Sequence, residues 1–165
     1  MFRDPWQESS RNKKRSTPSE ALAKLHRYCA YQERSHQEAR NKLFELGLYA
    51  SEVDEVLSQL ITDGFLNEER FAKAFAGGRF RMKKWGRLKI VNELEAKGLT
   101  RNCIKAGLKE IDETDYHKTL ADLLEKKSEQ LAEPNEFVRR DKLSKYAIQK
   151  GFEPELVWTL LKEKF

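Results

Sequence analysis

Eight cations, Arg70, Lys73, Arg79, Arg81, Lys83, Lys84, Arg87 and Lys89, occupy residues 70–92 of the chain without one intervening carboxylate. On a helical wheel Arg70, Lys73, Arg81 and Lys84 share one narrow stripe. Arg79 and Lys83 form an i, i+4 pair on its flank, and Arg87 and Lys89 carry the charge over a turn into the next helix. Cations aligned on one ridge follow a phosphate backbone, and each neutralised phosphate releases a counterion. A solvated helix face is the plainer alternative for a short basic run, but eight cations without an acid favour an anionic partner. Two aromatics share the block. Phe80 points away from the Phe71/Phe75 stripe and either stacks on a base, anchors a protein partner or packs against the preceding part of the chain. Trp85 precedes Gly86, the expected N-cap of the next helix; it either meets Ile90 as a hydrophobic staple or offers a further aromatic contact.

Little else in the chain has the residue types that chemistry needs. His26, His36 and His117 are scattered, and no Ser or Cys has a nucleophile context. His26 and Cys29 lie at i, i+3, a spacing that places two metal ligands on one helix face, but no second pair joins them, and a surface histidine beside a core thiol is the simpler reading. The acidic run Glu110-Ile111-Asp112-Glu113-Thr114-Asp115 suits the N-terminus of a following helix better than a cation site. Gly77-Gly78 lies inside a helical pattern rather than in a phosphate-cradling loop. Each glycine there is worse than alanine by about 1 kcal/mol, which points to a close helix–helix approach or a kink. No catalytic residue, metal or cofactor is expected, and the chain is not expected to be an enzyme.

The elements that must carry the basic block are unusually legible. The 165 residues are 36% charged and 39% hydrophobic, with four prolines and eight glycines, which leaves room for uninterrupted helices. No stretch approaches the roughly 18 apolar residues of a membrane span, and Met1 to Pro18 has no apolar core of the kind a secretory signal needs. Two cysteines 74 positions apart do not make a disulfide scaffold, so a cytoplasmic location is expected. The net charge of +5 is uneven: +3 over residues 1–18, −3 over 19–66, +6 over 67–91 and −1 over 92–165. The stretch Arg11-Asn12-Lys13-Lys14-Arg15 belongs to an expected disordered tail, residues 1–16, which adds nonspecific affinity for nucleic acid.

Helix signals then follow one another. Thr17-Pro18-Ser19-Glu20 and Ser35-His36-Gln37-Glu38 read as capping boxes. Ser51 reads as the cap of a third helix, and Asn67 as the cap of a fourth that holds Phe71, Phe75, Gly78 and Met82 on one face. Period-two strand patterns are absent, so the chain is all-α. Gly47, Gly98 and Gly151 each end an amphipathic helix, at spacings of 51 and 53 residues, with an apolar clamp one residue later at Leu48, Leu99 and Phe152. Matching positions precede them (Ala39, Ile90, Leu143 and Leu43, Leu94, Ala147) and follow them (Val53, Ile104, Val157 and Leu57, Leu108, Leu161). Each unit is completed by a longer preceding helix, about Pro18–Arg34, Asn67–Lys84 and Thr114–Leu131. The expected architecture is an elongated, curved array of three tandem three-helix repeats, about nine helices, at 17–66, 67–112 (the basic one) and 113–165.

Phe65-Leu66-Asn67-Glu68-Glu69-Arg70-Phe71-Ala72, followed by Arg79-Phe80-Arg81, Trp85-Gly86 and Ile90, resembles the central signature of the RecX regulatory proteins. The likeness extends over roughly residues 19–165. It departs where the family's aromatic-Gly-Pro turn reads Trp85-Gly86-Arg87. The resemblance implies a non-enzymatic modulator that binds the filament of RecA recombinase on single-stranded DNA and limits strand exchange and ATP hydrolysis, with double-stranded DNA a weaker partner and no membrane involved. A monomer is expected. The eight cations, with Phe80 and Trp85, are the expected filament and DNA contacts. Two other classes stay open: an independent DNA-binding helical module, although no dimerisation heptad or base-reading recognition helix stands out, and a protein-only scaffold. A steep loss of affinity with salt marks direct DNA binding and a shallow one marks a protein-only partner.

Overall fold

The structure, a computed structural model, describes residues 15–165. Among them nine α-helices and no strand are found: α1 (Pro18–Tyr31), α2 (His36–Glu45), α3 (Ala50–Thr62), α4 (Glu68–Lys83), α5 (Arg87–Ala96), α6 (Arg101–Leu108), α7 (Glu113–Gln130), α8 (Glu136–Gln149) and α9 (Pro154–Lys164). The chain is an all-α helical repeat array. It divides into two compact units, Met1–Phe71 and Ala72–Phe165.

In the first unit α1, α2 and α3 close over Ala21, Leu25, Ala39, Leu43, Val53, Val56 and Leu60, with Leu22, Tyr28, Cys29 and Phe65 packed at the margin. Local chemistry sets the helix starts. Thr17 accepts the amide of Glu20 at 3.2 Å. Ser35 and Glu38 form both halves of a capping box, at 3.1 and 3.4 Å. Asn67 accepts the amide of Arg70 at 2.9 Å. Ser51, expected to cap α3, lies inside the helix instead: Glu52 reaches back to the amide of Tyr49 at 2.9 Å and moves the N-cap to Tyr49. The basic stretch of the expected tail lies, as far as Lys14, outside the described residues. Arg15 and Ser16, expected to belong to that tail, are seated on the α2–α3 corner. The amide of Ser16 donates to Leu46 O at 2.8 Å, and Arg15 Nε donates to Gly47 O at 2.8 Å.

The second unit holds most of α4 and all of α5 to α9, around Ala76, Phe80, Ile90, Leu94, Tyr116, Leu120, Leu124, Leu143, Ala147, Phe152, Val157 and Leu161. Leu108 alone among the recurring apolar positions is only half-buried.

The three glycine corners share one geometry. Gly47, Gly98 and Gly151 have φ of +88°, +81° and +103°. Each glycine amide donates to the carbonyl three residues back, at 2.9 Å in all three, and the following Leu48, Leu99 or Phe152 amide closes on Leu43, Leu94 or Ala147 at 3.4, 3.2 and 3.2 Å. This is the six-to-one and five-to-two pairing that a left-handed residue permits at a helix C-terminus. Helix α4 also ends on a left-handed residue, Lys84, φ +57°, but in a wider pattern: the amides of Lys84 and Trp85 donate four and six residues back, to Phe80 O and Arg79 O at 3.0 and 3.4 Å. A side chain there costs about 1 kcal/mol relative to glycine.

Two expectations about α4 are corrected. Its buried side runs through Phe71, Ala72, Ala76 and Phe80, whereas Met82 is 85% exposed; Phe71 keeps its place in the core, but beyond it the core is met by the small residues and Phe80 rather than by Met82. Gly77-Gly78 makes no close helix–helix approach: nothing stands within 4 Å of a Cβ on Gly78, and only the Arg81 side chain stands near one on Gly77. The close approach to α4 is made by Gly107 of α6, where a Cβ would lie 2.7 Å from Ala72 O, and the tightest turn contact falls at Gly86.

Candidate nucleic-acid interface

The turn between α4 and α5 is held from below by the third glycine corner. Gly86 N donates to Lys150 O at 2.8 Å, Leu88 N donates to Gly151 O at 2.9 Å, and Lys150 Nζ donates to Lys83 O at 3.0 Å. A Cβ on Gly86 would lie 2.2 Å from backbone atoms of Gly151 and Phe152. No other residue type fits, so the turn is pinned and Trp85 with it.

Around Trp85 the structure gathers three of the eight cations. Lys89 Nζ lies 4.6 Å from the ring centroid, the Arg79 guanidinium 5.5 Å and Lys83 Nζ 5.7 Å. Phe75 meets Trp85 edge-on at 6.5 Å and carries Arg79 at 4.7 Å. Trp85 itself is half-buried. Arg79 Nε is buried and has no hydrogen-bond partner among the described residues, so part of this guanidinium has given up water without a protein acceptor in exchange. Lys73, Arg81, Lys83 and Lys84 are exposed.

The other two cations are engaged elsewhere. In the first unit Arg70 Nε binds Glu33 at 2.6 Å, and its Nη2 donates to Gly64 O at 2.9 Å and Phe65 O at 3.3 Å, tying a turn to the end of α1. Arg87 stacks on Tyr116 at 3.9 Å and bridges Glu113 and Glu153. Burial works against its charge, but the hydrogen bond to Glu113 and the charge of Glu153 outweigh it, and the net effect lifts its pKa. The hydroxyl of the fully buried Tyr116 donates to Glu153 and accepts the amide of Arg87 at 3.1 Å. Burial, followed by the bond to Glu153, raises that phenol well above its ordinary range. Phe80, the other aromatic candidate, is only 7% exposed and packs on Tyr116 at 5.9 Å; it has no face to offer a base, and its neighbour is downstream rather than upstream in the chain.

Sequence reasoning missed Lys150, whose ammonium closes the end of α4, and Lys97, 5.8 Å over the Phe75 ring. Lys97 and Lys150 each stand immediately before a corner glycine, and that shared position is the signal that would have found them. It also missed the acids that neutralise Arg87. Of the expected acidic run, Asp112 caps α7 by accepting the amide of Asp115 at 3.0 Å, and Glu113 pairs with Arg87. His26 stacks on Phe65 at 4.2 Å, and burial pushes the Cys29 thiol up to about 11.

Comparison with known proteins decides the family. The profile for RecX, second three-helix domain, matches residues 67–108, and that for RecX, third three-helix domain, matches residues 113–161. The chain belongs to the RecX family. It is 34% identical over 131 residues to a regulatory protein RecX of Pelodictyon phaeoclathratiforme, covering 78% of this chain and 80% of that one. It is 30% identical over 147 residues to that of Chlorobium limicola, covering 88% and 87%. The crystal structure of RecX from Lactobacillus salivarius has the same fold, with a TM-score of 0.79 at 20% identity, covering 88% of this chain and 95% of that one. The pinned turn at Trp85-Gly86 lies inside the stretch matched by the second-domain profile. No helix among the described residues is long and apolar enough to cross a membrane.

Proposed function

We propose that this chain is a non-enzymatic regulator that binds the RecA–single-stranded DNA filament and restrains strand exchange and coupled ATP hydrolysis. The observation that carries the reading is the gathering of Arg79, Lys83 and Lys89 about the pinned, half-buried Trp85 in a member of the RecX family. A cationic cluster with an aromatic at its centre suits a phosphate chain with unstacked bases. The contact set is Lys73, Arg79, Arg81, Lys83, Lys84, Lys89 and Trp85, while Arg70, Arg87 and Phe80 hold the fold. The chain works as a cytoplasmic monomer built of repeats 17–66, 67–112 and 113–165, and double-stranded DNA is the weaker nucleic-acid partner.

The test is RecA ATPase on single-stranded DNA, titrated with this protein at two salt concentrations. Inhibition at substoichiometric protein that weakens with salt is the expected result. No inhibition, with tight binding to naked DNA retained, replaces this reading with that of an independent DNA-binding helical module.

A further inference from the structure

A cleft of about 190 Å³ opens at the end of α4, lined by Lys84, Thr119, Asp122, Leu123 and Lys126. Lys84 and Lys126 are exposed ammonium groups from two different helix regions, Thr119 supplies a hydroxyl and Leu123 an apolar surface. Neither lysine has an ion-pair partner among the described residues, and neither does Asp122. Two cations against one carboxylate leave a single positive charge, which matches the single negative charge of a phosphodiester better than the double charge of a free phosphate.

The second observation is backbone geometry. Lys84 is the only non-glycine residue with a left-handed φ among the described residues. The three repeat corners place glycine in the left-handed position after the helix, and glycine would hold this corner too without strain. A side chain kept in a position that disfavours side chains points to a role for its far end.

We propose that the Lys84–Lys126 cleft seats one phosphodiester of single-stranded nucleic acid, carrying the basic path from α4 onto α7, and that Lys84 occupies its strained corner for its ammonium. The proposal rests on the reading that the basic segment contacts DNA, and it adds Lys126 and the opposing Asp122 to that surface.

The experiment is fluorescence anisotropy of a labelled oligothymidylate across a salt series, with thermal unfolding of each variant. Lys84→Gly relieves the strain, so its melting temperature stays level or rises while affinity falls about three- to tenfold and the slope of log K against log salt drops by about 0.7, one single-strand phosphate. Lys126→Gln gives the same loss of slope, and the double variant loses no second phosphate because both lysines hold the same one. Asp122→Asn tightens binding. An unchanged slope in both lysine variants of a wild-type chain that binds overturns this proposal alone, as does weaker binding by Asp122→Asn. A wild-type chain with no salt-dependent binding to the oligonucleotide overturns the proposal together with the DNA-contact reading beneath it.

Discussion

The amide of Gly86 meets the carbonyl of Lys150 at 2.8 Å, and a methyl group on Gly86 would stand 2.2 Å from the carbonyl carbon of Gly151. Two helix-connecting turns 65 residues apart are therefore in backbone contact, and the position of Trp85 depends on it. Gly86→Ala is expected to destabilise the protein by about 3 kcal/mol, because the obstacle is backbone and cannot rotate away. Gly98→Ala meets nothing within 4 Å and is expected to cost about 1 kcal/mol from its φ alone. Urea unfolding of the two variants checks the order; equal losses would mean that the contact at Gly86 is slack.

Arg87 and Arg81 separate a structural cation from a binding one. Arg87→Gln breaks a bridge to two carboxylates and is expected to lower stability by about 1–2 kcal/mol, with the salt slope of oligonucleotide binding unchanged. Arg81→Gln is expected to leave stability within about 0.5 kcal/mol and to reduce that slope by about 0.7. Paired unfolding and anisotropy measurements decide; a slope lost with Arg87 would place it among the contacts.

Charge reversal tests the surface as a whole. Replacing Arg81, Lys83 and Lys84 together with Glu is expected to weaken filament inhibition by roughly tenfold or more while the helical circular dichroism is retained. A folded triple variant that inhibits as the parent does would remove these residues from the interface.

In the first unit, His36 Nδ1 lies 2.8 Å from Glu68 Oε1. Burial lowers the pKa of His36 below its ordinary 6.5, and Arg40 adds to the effect. As pH falls below 6.5 the unfolded chain takes up a proton that the folded chain refuses, so stability drops on acidification. Glu68, raised by burial above its ordinary 4.5, works in the opposite sense at lower pH, where its folded form binds the proton first. The urea midpoint is expected to fall between pH 7 and 6, and His36→Gln is expected to flatten that fall. An unaltered slope in the variant would assign it to other groups.

The glycine corners were legible because a left-handed residue followed by an apolar clamp writes itself into a few adjacent letters. The basic block was legible for the same reason: its excess is contiguous. What neutralises Arg87 was not, since Glu113 and Glu153 stand 26 and 66 positions away and only packing brings them to it. Phe80 and Met82 exchanged places because α4 carries apolar residues on two sides, and its wheel alone does not say which side the core covers. The strain at Lys84 has no sequence signal, because lysine is an ordinary residue in the last turn of a helix.

Helices α2 and α5 have ten residues each and α8 has fourteen, yet all three end in the same corner. Four residues are close to one full turn, so the addition lengthens α8 at its start without rotating Leu143 and Ala147 out of the core. In α8 the spare length enters as about one whole turn, upstream of the glycine, and leaves Leu143 and Ala147 in the same register with Gly151 as their counterparts hold with Gly47 and Gly98.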